Sequence, residues 1–118
     1  MLAEDEIGIR TMTRAFLENL GYRVLDAPNG MEAVKVSRTF DGVIDLVVTD
    51  LLMPIMRGDA AVASIREERP NIKVLYMSGS TEDLVGSAEV LHKPFKFPEL
   101  GRRVRTVLDS ESALKKPA

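Results

Sequence analysis

The residues best suited to chemistry stand at the ends of four short apolar runs. Met1-Leu2-Ala3 leads into Glu4-Asp5-Glu6, and the run from Ile44 to Thr49 ends in Asp50. The run from Ile72 to Met77 ends in Ser78, and Glu89 to His92 leads into Lys93-Pro94. If these runs are strands of one parallel sheet, carboxylates, a hydroxyl and an ammonium converge on one edge. Such a set suits a phosphoryl group handled with a divalent cation. Adjacent carboxylates repel unless a cation sits between them, and Mg²⁺ prefers a few carboxylates, waters and phosphate oxygens. A carboxylate can attack phosphorus to give an acyl phosphate, in a transfer governed by positioning and charge neutralisation. Each residue alone has an ordinary reading: acids near an N-terminus often cap a helix, and a strand-end Asp is a common turn residue. Their coincidence at four successive strand ends carries the argument.

The elements that must position them alternate between helix and strand patterns. From Ile7 to Leu20, residues Ile9, Met12, Phe16 and Leu20 recur at helical spacing, with Gly21 as a stop. Tyr22 to Ala27 reads as a short strand. Asn29 with Glu32 marks the start of a helix reaching about Thr39. Ile44 to Thr49 reads as a central buried strand. Asp59 is placed to cap a third helix through about Glu68, ended by Pro70. Ile72 to Met77 is the next strand. Pro98 suits the first turn of a last helix with the stripe Leu100, Val104, Val107 and Leu108. The alternation implies parallel strands with right-handed crossovers and helices on both faces. Ligands of such sheets bind beyond the carboxyl ends of the strands, where the four polar residues fall.

Composition bounds the reading further. One domain is expected, residues 1–109, followed by a polar tail or linker stub over 110–118. The net charge of −2 gives no pull toward nucleic acid or anionic membrane. No apolar stretch approaches the roughly 20 residues needed to span a bilayer, and the absence of cysteine suits a reducing compartment. A cytoplasmic, monomeric domain is the expectation. His92, the single histidine, reads as an exposed side chain, and Arg102, Arg103 and Arg105 as a solvated helix face.

The acid cluster Glu4-Asp5-Glu6, then Asp50-Leu51-Leu52-Met53-Pro54 with Gly58, then Met77-Ser78-Gly79, then Lys93-Pro94-Phe95 together resemble the receiver domain of two-component response regulators. The resemblance covers about Leu2 to Leu108. It implies a flavodoxin-like, doubly wound sheet of five parallel strands in the order 2-1-3-4-5. It makes Asp50 the phosphate acceptor, Glu4 and Asp5 the acidic pair, Ser78 the Ser/Thr position and Lys93 the invariant lysine. Mg²⁺ (or Mn²⁺) would be held by Asp5, Asp50 and the Leu52 carbonyl, with Glu4 acting through a metal-bound water. The implied partner is a histidine kinase or histidine phosphotransfer domain, docked on the first helix near Ile9, Met12 and Thr13.

Three departures from that pattern bear on mechanism. Only three residues precede the acids, so a short first strand is expected. Only residues 79–92 separate Ser78 from Lys93, so the helix between them is expected to be reduced or absent. Val90 stands three before Lys93, where the family often carries a switching aromatic. Two rival classes are a degenerate receiver that binds partners without phosphorylation and a phosphohydrolase of the haloacid dehalogenase type. The hydrolase usually has a second Asp two positions after the nucleophile, where this chain has Leu52.

Overall fold

The computed structural model describes residues 1–79 and 89–110. The chain runs β1 (Leu2–Ala3), α1 (Ile7–Asn19), β2 (Asp26–Ala27), α2 (Gly30–Thr39), β3 (Leu46–Asp50), α3 (Gly58–Glu68), β4 (Lys73–Ser78), β5 (Glu89–His92) and α4 (Phe97–Asp109). All five strands are parallel, in the order β2-β1-β3-β4-β5. The expected architecture holds, including the short first strand. The expectation of a reduced or absent helix before β5 falls on residues 80–88, outside the described residues.

Side-chain alternation builds one core on each face of the sheet. Val47, Val74 and Tyr76 point toward α2 and α3, where they meet Val34, Val62 and Ile65. Leu2, Val48, Leu75 and Met77 point the other way, toward Leu17 of α1 and Leu100, Val104 and Val107 of α4. Every residue of β3 is buried, as expected for a central parallel strand covered on both faces. Phe16 stacks on Phe97 with ring centroids 4.9 Å apart, joining α1 to α4.

Local signals account for most element ends. The Asn29 side chain accepts the Glu32 N–H at 2.9 Å. Gly21 takes φ +99 and closes α1, a left-handed stop that glycine adopts without strain. Several expectations need correction. The strand predicted over Tyr22–Ala27 pairs only at Asp26–Ala27, because β1 offers just Leu2 and Ala3 to pair with. Asp59 is not the cap of α3: the cap position is Arg57, and Asp59 lies in the first turn, held by the Arg57 guanidinium at 3.1 Å. On α1, Thr13 and Leu17 face the sheet. Ile9, Met12 and Leu20, which recur at helical spacing, lie on the outer side, 38%, 60% and 52% exposed. The helix is rolled so that its deepest line passes through Thr13, which removes Thr13 from any docking surface.

Two tight contacts shape the chain beside β3. Gly58 N–H donates to Leu51 O at 2.8 Å, folding the loop back on the strand. A Cβ on Gly58 would stand 2.0 Å from the Asp50 carbonyl oxygen and 3.0 Å from Thr49 Oγ1. Both neighbours belong to a buried strand that has no room to yield. Gly58→Ala is therefore expected to lower stability by about 1–3 kcal/mol or more, the usual range for overpacking a tight site. An unchanged denaturation midpoint would show that the loop lifts away freely.

Candidate functional site

The sheet order brings the four polar strand ends together. Glu4 and Asp5 follow β1, Asp50 closes the adjacent β3, Ser78 closes β4 and Lys93 follows β5. Backbone bonds lock these ends in register: Leu51 N–H donates to Met77 O at 3.0 Å, and Lys93 N–H donates to Ser78 O at 2.7 Å. Lys93 Nζ reaches Asp50 Oδ1 at 2.6 Å and Glu4 Oε1 at 3.4 Å. The first contact is an ion pair without hydrogen-bond alignment, so the buried Asp50 Oδ1 keeps an open acceptor position. Carboxylate oxygens of Glu4, Asp5 and Asp50 lie within 4.8 Å of one another. Glu4 and Asp50 are almost fully buried, whereas Asp5 is exposed. Ser78 is buried as well.

Burial and like charge set the electrostatics. Desolvation pushes the Asp50 carboxyl up to about 8, reinforced by the Glu4 carboxyl and opposed by Lys93. Burial acts the same way on Glu4. There the hydrogen bond with Asp50, the Glu6 N–H on Oε2 at 3.0 Å and the Lys93 charge outweigh it, and its pKa falls. Desolvation would lower Lys93, but the two carboxylates hold it above its ordinary value. Asp50 and Glu4 thus act as one coupled pair that holds a proton more readily than two free carboxyls when no further cation is near.

The remaining predicted residues fall around this centre. Leu52 is 54% exposed beside the cleft. Val90 is buried in the core with α2 and α3, and its carbonyl accepts from Arg103 Nη2 at 2.8 Å. It is a packed side chain on a strand, with no ring to swing. Two features have no clear signal in the sequence. Arg10 Nη1 donates to the Glu4 carbonyl at 2.8 Å while its Nε stands 3.6 Å from Asp26, fixing the acidic turn against β2. Nothing in the spacing of residues 4, 10 and 26 announces that bracket. The peptide bond between Lys93 and Pro94 is cis; the proline is the only visible hint of it.

Known proteins share this arrangement. The model of the response regulator receiver domain family matches residues 1–105. That match settles the family. The chain is a response regulator receiver domain, the phosphoacceptor module of two-component signalling. It is 33% identical to the sensor kinase CckA of Brucella abortus over 94% of its own length and 12% of the kinase. Its fold matches the crystal structure of the receiver domain from the hybrid histidine kinase CckA with a TM-score of 0.81 and 30% identity, covering 92% of this chain and 96% of that one. It also matches Thermotoga maritima TrrA, solved in complex with Mg²⁺–BeF, with a TM-score of 0.77 and 30% identity over 90% and 95% of the two chains. The chain spans only part of the curated relatives it matches: 12% of CckA, and 47% of Bacillus subtilis PhoP. Among the described residues, no helix of this receiver is long and apolar enough to cross a membrane.

The raised Asp50 pKa gives a pH signature. A folded acid that keeps its proton up to about 8, against 3.8 for an ordinary aspartate side chain, binds more protons than the unfolded chain across that window. Its contribution to stability is full below about pH 4 and is lost as pH rises through 8. In EDTA, the denaturation midpoint of the wild type is expected to fall over this range, and Asp50→Asn to flatten the decline. Parallel slopes in the two proteins would refute the coupled arrangement.

Proposed function

We propose that this receiver takes a phosphoryl group from a phosphohistidine onto Asp50 with Mg²⁺ (or Mn²⁺), and so switches its contacts with a histidine kinase or histidine phosphotransfer domain. The observation that carries the reading is the 2.6 Å contact of Lys93 Nζ with Asp50, beside two further carboxylates. Three acids and one ammonium leave a surplus of negative charge in a partly desolvated cleft. All the donors there are hard oxygens, and Asp50 Oδ1 has an open acceptor position, which fits a divalent cation that prefers oxygen ligands. Asp5, Asp50 and the Leu52 carbonyl are the residues to hold it. Glu4 has one oxygen on the Glu6 N–H and the other beside Lys93, which suits an indirect role through water. Bound there, the cation would supply positive charge for the phosphoryl oxygens.

The chain's own groups do the rest. An Asp50 carboxylate oxygen forms the bond to phosphorus as the bond from phosphorus to the imidazole nitrogen breaks, and that nitrogen keeps the electron pair. Lys93, already poised between Asp50 and Glu4, neutralises charge on the transferred group. The Ser78 hydroxyl, at the end of the next strand, donates a hydrogen bond to a phosphoryl oxygen once the group has arrived. It is thereby a sensor of the modified state. Val90 packs into the core, so the change is relayed without an aromatic rotamer at that position. Leu52 places no carboxylate two residues after the nucleophile, which favours a retained acyl phosphate over turnover of phosphate esters.

Intact-protein mass after incubation with acetyl phosphate and Mg²⁺ is expected to show one added phosphoryl group. Asp50→Asn should take none, and a retained adduct would move the acceptor elsewhere. Lys93→Ala should slow labelling on the order of 10²-fold, the scale for removing one charge-stabilising donor. For Asp5→Asn, calorimetric titration should show weakened Mg²⁺ binding in the unphosphorylated protein. Affinity equal to wild type would remove Asp5 from the ligand set.

A further inference from the structure

Ile55 departs from ordinary local structure in two ways. Its φ is +74, the one positive value outside glycine among the described residues. A β-branched side chain in this left-handed region crowds its own backbone, and Asn or Gly is the usual occupant. The side chain is also 72% exposed, so no burial offsets the strain. The conformation is imposed from both sides. Pro54 has a fixed φ, Met56 N–H donates back to Pro54 O at 2.8 Å, and Met56 is wedged against Gly30, where a Cβ would stand 2.7 Å from the Met56 carbonyl oxygen. The loop thus requires a left-handed residue at 55. Nothing within the fold requires that residue to be isoleucine.

The surroundings supply a reason from outside the fold. Leu52 is 54% exposed on the same loop, and Ile7, the first residue of α1, is 70% exposed. The loop springs from Asp50 and is pinned back by Gly58 on Leu51; Ile7 follows directly on the acid cluster. Apolar side chains therefore flank a buried, charged cleft. A protein that delivers a phosphorylated imidazole to Asp50 must bring its own surface down on these loops, because Asp50 is only 4% exposed. Strained, exposed residues are a recognised mark of functional positions, and apolar anchors beside a desolvated centre carry much of an interface's energy.

We propose that Ile55 is a partner-contact residue: its left-handed backbone holds the side chain out to solvent on the loop that follows Asp50, where, with the exposed Leu52 of the same loop, it seats a phosphohistidine-bearing protein on the Asp50 cleft. This rests on the reading of Asp50 as acceptor. It adds a positioning role that small phosphodonors do not need.

The test compares wild type with Ile55→Asn and Ile55→Gly in three measurements. Relief of backbone strain is expected to raise Tm by roughly 3–8 °C in both variants. Labelling by acetyl phosphate is expected to be unchanged. Transfer from an autophosphorylated sensor kinase, chosen because it labels the wild type, is expected to lose roughly 10-fold or more in kcat/KM through KM. Transfer at the wild-type rate would overturn the inference, as would equal loss with both donors. So would a wild type that accepts from acetyl phosphate but from no phosphohistidine protein. If acetyl phosphate leaves Asp50 unlabelled in the wild type, the acceptor reading itself fails.

Discussion

Two acids buried almost completely within a few ångströms of each other are costly to keep ionised, and Glu4 and Asp50 are such a pair. Among the described residues, Lys93 alone brings an opposite charge within ion-pair distance of both. The rest of the molecule serves this arrangement. Setting β1 beside β3 brings the acids face to face, and the carboxyl ends of β4 and β5 carry Ser78 and Lys93 to the same edge. The cores on the two faces bury the strands without contributing to the chemistry. What they do provide is the dry, rigid frame in which one more positive charge is strongly favoured.

The frame is stiffest where it holds Asp50. Thr49 Oγ1 donates to the Asp50 carbonyl at 2.9 Å, and Gly58 packs against the same carbonyl so closely that any side chain is excluded. Arg10 restrains the opposite wall through the Glu4 carbonyl. Farther away, Arg69 donates to Ser37 Oγ and to the carbonyls of Ser37, Phe40 and Gly42, closing the end of α2 against α3. That bracket fixes the face opposite α1 and α4, so β3 is clamped from both sides.

The sequence made most of this legible, for reasons that differ by residue. Strand ends were readable because parallel burial demands largely apolar runs, and each of the four runs is followed by a polar residue at the same edge. Asn29, Gly21 and Pro98 speak through local backbone chemistry, which needs no tertiary information. The spacing of Ile9, Met12 and Leu20 marks a helical face but not its partner, and that face has little to cover it. Thr13, polar by type, sits at the deepest contact instead. The length of β2 could not be read locally, because pairing ends where β1 ends. Likewise, the Arg10 and Arg69 brackets join residues whose separation in sequence follows no period. The four-point site emerged because its members are tied to secondary-structure ends, whereas brackets of this kind are tied only to the finished shape.

Lys93 and Glu4 are 89 positions apart, and β5 occupies an edge of the sheet. The site therefore joins the end of the first strand to the end of the last, through parallel pairings that cannot form from local contacts. Topologies of this kind fold slowly, because long loops must close before distant contacts reward them. Until β5 has docked, the acids at the ends of β1 and β3 face each other without their ammonium, so the emerging cleft opposes its own assembly. A chain caught partway, or one whose last strand has come loose, holds both acids without the ammonium that stands between them. The acid pair and its counter-charge thus meet only in the completely folded molecule.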